Sequence, residues 1–86
     1  MAHETVPGWE VADGKLTRDV KLKNFAAALA LVNAIGAAAE EANHHPDLCL
    51  HSWNHVRVEL TTHSAGAITE NDYVLARGIN QLLSDS

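Results

Sequence analysis

The sequence has almost no means of covalent cross-linking, because Cys49 is its only cysteine and a single thiol cannot form an internal disulfide. A chain of 86 residues forms one domain with a modest hydrophobic core. Small domains without cross-links often gain stability by burying further apolar surface between identical subunits. We therefore expect a homodimer or a homotetramer in a reducing compartment, with Cys49 as a small buried apolar residue.

Positive charge is also scarce, since six Lys and Arg residues stand against eleven Asp and Glu residues and give a formal charge of −5. Nucleic acids and anionic membranes bind basic surfaces, so neither is expected as a partner. The N-terminal segment lacks the basic start and apolar core of a signal peptide. The most apolar stretch, Phe25 to Ala39, is shorter than the roughly 20 residues that cross a bilayer. These features predict a cytoplasmic protein in which this stretch is a core helix.

The motifs that usually identify metal and nucleotide sites are missing. There is no CxxC or HExxH spacing, no phosphate loop and no dinucleotide fingerprint. Five histidines could be considered as metal ligands: His44, His45, His51, His55 and His63. Adjacent residues at a helix end project about 100° apart, which does not favour a shared ion for His44 and His45. We therefore expect no metal site.

Local patterns in the first half of the chain predict a β-hairpin followed by a long helix. Asp13-Gly14 favours a type I′ turn between strands at Trp9–Val11 and Leu16–Leu22. Asn24 can cap the helix, and Pro46 should end it near His44-His45. The apolar residues of this helix recur at three- and four-residue steps, and they are Phe25, Leu29, Val32, Ile35, Ala39 and Ala42.

The second half predicts further strands and a closing helix. The segment from Asp47 to Trp53 is less regular, whereas His55 to Thr61 alternates strictly between apolar and polar residues. Thr69 to Asp72 has the pattern of a capping box at the start of a helix. The expected fold class is α+β, a four-stranded antiparallel sheet with helices packed on one face, in the order β-β-α-β-β-α. Residues 1–8 are expected to be a loose lead, and residues 9–86 the single domain.

Histidine is over-represented, with six residues in 86, and its unperturbed pKa of about 6.5 lets it exchange protons at neutral pH. Glu40 precedes His44 by four residues, so its carboxylate could orient that ring on the helix surface. His63 follows the alternating strand, and it can join His44 and His45 only if the strand ends or bends there. A purely structural interpretation remains open as well, with solvent-exposed histidines and with Asp72 as a helix cap.

Several of these residues resemble, in type and spacing, the signature of the pterin-4a-carbinolamine dehydratase family. They are Glu40, His44-His45-Pro46, Trp53, His63 and Asp72. Gly8-Trp9, Asn24-Phe25 and Thr62-His63 agree as well, so the similarity extends over about residues 8 to 84. In that family a helix commonly precedes the first strand, and we expect it to be absent here because the lead is short.

The resemblance implies dehydration of 4a-hydroxytetrahydropterin to quinonoid dihydropterin, without a metal or organic cofactor. This reaction regenerates the pterin used by aromatic amino acid hydroxylases, and it needs a general acid and a general base, roles that suit histidine. The implied catalytic residues are His44, His45 and His63. The implied substrate-binding positions are Glu40, Pro46, Thr62, Ser64, Ala65 and Asp72. The alternative is a noncatalytic dimerisation or binding module on the same scaffold, because retained histidines do not by themselves prove turnover.

Overall fold

The computed structural model describes residues 6–85, which form an antiparallel sheet and two helices. The strands are β1 (Glu10–Ala12), β2 (Lys15–Lys21), β3 (Asp47–His51) and β4 (His55–Leu60). The helices are α1 (Phe25–Ala42) and α2 (Glu70–Asp85). The strands lie in the order β1-β2-β4-β3, and the helices pack together with the sheet around one core. The predicted fold class and element order are confirmed.

Local sequence signals account for the turns and helix ends. Asp13 and Gly14, between β1 and β2, have φ angles of 54° and 75°, as a type I′ turn requires. The side chain of Asn24 caps α1 by accepting a hydrogen bond from the Ala27 amide at 2.8 Å. The helix ends where Asn43 adopts the left-handed conformation, with φ of 52°, and Pro46 prevents it from resuming.

One buried cluster joins the sheet to both helices. Val56, Val58 and Leu60 of β4 are fully buried, as their alternation predicts. The members contributed by β2 and the helices are Leu16, Ala28, Leu31, Ile35, Ala39, Leu75, Ala76 and Ile79. Of the apolar positions predicted for α1, Ile35 and Ala39 are buried here, whereas Phe25 and Leu29 are 50% and 46% exposed. Alanine fills so much of this helix that apolar residues cover more than one face, and spacing alone does not select the buried one.

By length and composition, α1 could cross a membrane, since it has 18 residues and a mean hydropathy of 1.4. The core helix of a globular protein passes the same test. In the structure α1 contributes Ala28, Leu31, Ile35 and Ala39 to the buried cluster. This packing supports the core-helix prediction.

The opposite face of the sheet, which we call the outer face, is polar. The register places Asp19 of β2 opposite Arg57 of β4, and Arg57 opposite Cys49 of β3. Cys49 is therefore exposed, and the prediction that it is buried is wrong. The less regular stretch of sequence before His55 supplies β3, which pairs with β4 along its whole length.

The predicted loose lead lies partly outside the described residues, since the structure describes none of residues 1–5. The expected absence of a leading helix therefore falls mainly on residues that are not described. Val6, which also belongs to this lead, is buried at 5% exposure. Its carbonyl accepts a hydrogen bond from the Trp9 amide at 3.1 Å, so the end of the lead packs against the core.

Arg18 breaks the apolar pattern of β2, and its contacts explain why. Its Nη1 atom donates to Oδ1 of Asn80 in α2 at 2.7 Å, and Trp9 Nε1 donates to the same oxygen at 2.8 Å. The Asn80 amide nitrogen donates to the Pro7 carbonyl at 3.0 Å. Asn80 thus ties the start of the described chain, β2 and α2 together through one side chain.

We expect Asn80→Ala to lower the free energy of unfolding by about 1–3 kcal/mol, because it leaves partly buried donors without their acceptor. Chemical denaturation followed by circular dichroism measures this loss. Asn71→Ala is the matched control, since Asn71 is an exposed residue of the same helix. Its effect should stay within about 0.5 kcal/mol. Equal stabilities for the two variants would contradict the role given to Asn80.

Candidate functional site

The side chain of His44 leaves the end of α1 and contacts the start of α2. α1 ends at Ala42, and the left-handed Asn43 turns the chain so that the His44 amide still bonds to the Ala39 carbonyl at 3.1 Å. His44 Nε2 lies 2.5 Å from Oδ1 of Asp72, in the first turn of α2. This contact joins residues that are 28 positions apart in the sequence.

Asp72 is completely buried, and donors from the protein satisfy its carboxylate. Its Oδ2 atom accepts hydrogen bonds from the Thr62 hydroxyl and from the Thr69 amide, both at 2.8 Å. The Thr69 contact is the back-reaching bond of the predicted capping box. Because the one hydroxyl hydrogen of Thr62 goes to Asp72, Thr69 Oγ1 donates to Thr62 Oγ1 across 2.7 Å. We call these four residues, His44, Thr62, Thr69 and Asp72, the Asp72 network.

His45 has a different carboxylate partner. Its Nε2 lies 2.5 Å from Oε2 of Glu40, and both side chains are exposed. The sequence spacing pairs Glu40 with His44 instead, on the assumption that the helix continues. Because Asn43 is left-handed, the helix does not continue to His44, and it is the His45 ring that lies beside Glu40.

The chain turns sharply just after β4, as a shared site with His63 requires. β4 ends at Leu60, and the Thr62 amide donates to the Ala67 carbonyl at 3.1 Å, which closes a turn that contains His63. His63 is exposed, and residues 6–85 offer its ring no hydrogen-bond partner. Its position in the turn follows directly after Thr62, which belongs to the Asp72 network.

The register of the hairpin brings the two histidine segments to one end of the sheet. Asp47, the first residue of β3, lies opposite Glu59 near the end of β4. The chain entering β3 from His45 and the chain leaving β4 toward His63 therefore emerge on the same side of the hairpin. Convergence of the His44, His45 and His63 rings on one ligand stays a prediction.

The other implied substrate-binding positions surround the same end of the hairpin. Pro46 is half-buried between His45 and β3, and Ser64 and Ala65 are exposed in the turn. The Ala65 amide is engaged, because it donates to the Thr62 carbonyl at 3.1 Å. Trp53, which the resemblance also included, is 61% exposed in the β3–β4 turn at the opposite end of the hairpin.

Thr69 is the member of the network that sequence reasoning assigned only to a helix cap. The capping-box pattern placed it beside Asp72, and that was the available signal. Its hydroxyl contact with Thr62 could not be foreseen, because it depends on how the turn after β4 meets α2.

The chain is similar to known proteins over most of its length. The sequence profile of pterin 4 alpha carbinolamine dehydratase matches residues 1–82. A Thermomicrobium roseum protein, named as a candidate pterin-4-alpha-carbinolamine dehydratase, is 47% identical over 94% of this chain and 86% of its own length. The Arabidopsis thaliana protein named pterin-4-alpha-carbinolamine dehydratase 2, mitochondrial, is 41% identical over 92% of this chain, which spans 44% of that protein.

Solved structures agree with the sequence comparison. A Brucella melitensis protein, titled transcriptional coactivator/pterin dehydratase, superimposes with a TM-score of 0.82 at 35% identity, over 88% of this chain and 82% of its own. A pterin dehydratase-like protein, titled a RuBisCO assembly factor in the alpha-carboxysome, shares the fold with a TM-score of 0.69 at 19% identity, over 86% and 84% of the two chains. The profile match and the 47% identity to the Thermomicrobium roseum protein show that the chain belongs to the pterin 4 alpha carbinolamine dehydratase family.

Proposed function

We propose that the chain dehydrates 4a-hydroxytetrahydropterin to quinonoid dihydropterin by general acid and base catalysis with His44, His45 and His63. The observation that carries the proposal is the contact between the His44 ring and the buried Asp72 carboxylate. A buried carboxylate that holds an imidazole by one nitrogen fixes the ring orientation, which proton transfer at the other nitrogen requires.

The reaction needs two proton transfers and no redox step. The bond between C4a and the hydroxyl oxygen breaks, a general acid protonates the leaving hydroxyl to give water, and a general base removes the N5 proton. The electrons of the N5–H bond form the N5=C4a double bond. Because the acid gives up one proton while the base takes one, the two groups together return to their starting charge once they re-equilibrate with solvent.

The hydrogen-bond contacts of the three histidine rings are compatible with the roles of general acid and general base. Nε2 faces a carboxylate in both His44 and His45, so Nδ1 is the atom left to exchange a proton with a substrate. His63 has no such partner in residues 6–85, and its exposed ring is free to turn toward a bound pterin. A general acid and a general base together give a bell-shaped dependence of kcat on pH. Measuring this profile for each single histidine variant assigns the roles: loss of the acid removes the fall of kcat at high pH, and loss of the base removes the rise of kcat at low pH.

We further propose that the pterin is oriented by Glu40, Pro46, Thr62, Ser64, Ala65 and Asp72, without a metal or organic cofactor. Asp72 acts through His44 and the turn rather than by touching the substrate, since it has no exposed surface. An aromatic amino acid hydroxylase is the class of enzyme that supplies this substrate. The relatives include bacterial and archaeal proteins and one named as mitochondrial, and we propose a cytoplasmic location for this chain.

We also propose that the chain forms a homodimer or a homotetramer. Phe25 and Leu29 lie one turn apart on α1 and are half-exposed, and Val74 of α2 is 52% exposed. Side chains of this size favour burial, at roughly 1.5–3 kcal/mol for each one that is fully covered. A second copy of the chain would remove this surface from water.

The test of catalysis measures quinonoid dihydropterin formation while an aromatic amino acid hydroxylase generates the carbinolamine. We expect His45→Ala and His63→Ala to lower kcat by about 100-fold or more, the usual contribution of a general acid or base. Both side chains are exposed, so both variants should fold.

The matched control is His55→Ala, which removes a histidine at the opposite end of the hairpin and should leave kcat unchanged. A wild-type protein that does not exceed the spontaneous rate would disprove the proposed activity. That result would favour the noncatalytic binding module instead.

Asp72→Asn should lower kcat by roughly 10- to 100-fold, by analogy with the loss of a hydrogen-bonding partner of a metal-bound histidine. The amide keeps the shape of the carboxylate but loses the charge that orients His44. The control is Thr69→Val, which removes the Thr62–Thr69 hydroxyl contact and leaves the Asp72–His44 contact in place. If both variants lose the same activity and stability, Asp72 acts only as a structural residue.

Leu29→Glu should reduce the molar mass measured by size-exclusion chromatography with light scattering, because a charge replaces an apolar contact between subunits. Asn71→Glu adds the same charge at an exposed position of α2 and should leave the mass unchanged. A wild-type mass of one chain would refute the proposed oligomer.

A further inference from the structure

Two histidines outside the proposed catalytic site share one carboxylate on the outer face of the sheet. His51 ends β3, His55 begins β4, and the two are paired across the hairpin. Asp19 reaches them from the middle of β2, on the other side of β4. Three strands therefore contribute one possible ligand each to a single position.

The contacts within this cluster are close. His51 Nε2 lies 2.7 Å from Oδ2 of Asp19, and His55 Nδ1 lies 2.9 Å from Oδ1. Each carboxylate oxygen thus faces a different ring. Burial raises the pKa of Asp19, but hydrogen bonds and positive charge from His55 and His51 outweigh burial and leave the pKa below its ordinary value.

These donors are of the kind that divalent transition metals bind. Imidazole nitrogen with carboxylate oxygen suits zinc, copper and nickel, and an open zinc site uses three protein ligands with water in the fourth position. Within residues 6–85 this is the group whose three ligand atoms come together, all within 4.8 Å of one another. The expectation of no metal site rested on missing sequence motifs and on the divergent directions of His44 and His45. It did not consider Asp19, which is 32 residues before His51 in the sequence.

Only small side-chain movements separate the cluster from a coordination geometry. Bonds of about 2.0–2.2 Å to a tetrahedral ion hold its ligand atoms roughly 3.3–3.5 Å apart. All three side chains are about one-third exposed, so the rings have room to rotate. Ser52 Oγ lies 3.1 Å from His51 Nδ1 and can orient that ring while Nε2 binds an ion.

We propose that Asp19, His51 and His55 bind one divalent transition-metal ion of the zinc class, with water completing the coordination. Two of the three ligands are imidazole nitrogens, which favour a transition metal over a hard cation such as calcium. Arg57 Nε lies 3.6 Å from Oδ2 of Asp19, and its positive charge opposes the binding of any cation, so the guanidinium must turn away when an ion binds. The site is separate from the proposed catalytic site, since His51 and His55 lie at the opposite end of the hairpin from His45 and His63.

Isothermal titration of untagged, chelator-treated protein with ZnCl₂ tests this site. We expect one Zn²⁺ to bind per chain. Asp19→Asn, His51→Ala and His55→Ala should each lower the zinc affinity by about tenfold or more, because losing even a hydrogen-bonding partner of a metal ligand lowers affinity by about that factor. In NMR spectra of the wild type, zinc should shift the ring resonances of His51 and His55. Circular dichroism checks that each variant is folded.

The control is His63→Ala, which removes a proposed catalytic histidine and should bind zinc as the wild type does. The proposal is wrong if the wild type binds no zinc at millimolar concentration. It is equally wrong if zinc affinity survives in His51→Ala and His55→Ala but falls in His63→Ala, because the ion would then occupy the catalytic site. Neither result depends on whether the chain is a dehydratase.

Discussion

A carboxylate without access to water must receive its hydrogen bonds from the protein, and this requirement organises the structure around Asp72. Leaving such a charge without partners costs several kcal/mol, which is a large part of the stability of a small domain. The donors come from three places: His44 after α1, Thr62 after β4 and Thr69 before α2. The buried charge therefore fixes the relative positions of three chain segments in a protein that has no disulfide.

The β3–β4 hairpin supplies the second constraint, because it decides which segments can reach Asp72. β3 begins directly after Pro46, and its antiparallel pairing with β4 returns the chain to the same end of the sheet at Thr62. A parallel arrangement would have carried Thr62 to the far end. The short connection between β3 and β4 thus brings the segments that carry His45 and His63 to one end of the hairpin. No long loop is needed, and ordering a long loop would cost more entropy.

Much of the fold could be predicted because the signals are local. Asp13-Gly14, the Asn24 cap and the capping box at Thr69 each act through atoms only a few residues apart. The buried face of α1 could be predicted only in part: Ile35 and Ala39 are buried as expected and Phe25 and Leu29 are not, since an alanine-rich helix offers several faces of similar hydrophobicity. Cys49 was misjudged for a related reason, because its side of the sheet depends on the register of β3 and not on its own chemistry.

The candidate site also combines features that the sequence predicts with features that it does not predict. Asp72 was identified as a candidate through the family resemblance, and the capping box was its structural alternative. Its contact with His44, and the contact of Glu40 with His45 in place of His44, depend on one left-handed residue, Asn43. Asparagine adopts that conformation more readily than most residues, yet nothing in the sequence requires it there.

The hairpin separates the described histidines into two groups, with His44, His45 and His63 toward one end and His51 and His55 at the other. The inner face of the sheet packs against the helices and is apolar, so the polar residues of the strands lie on the outer face and at the strand ends. In β4 the side chains of His55 and Arg57 point to the face opposite that of the buried Val56 and Val58, so they take no part in the core. An ion bound there would lie at the other end of the hairpin from the proposed catalytic histidines. The cluster of Asp19, His51 and His55 lies on this face, and its three ligand atoms come from strands whose pairing fixes their register.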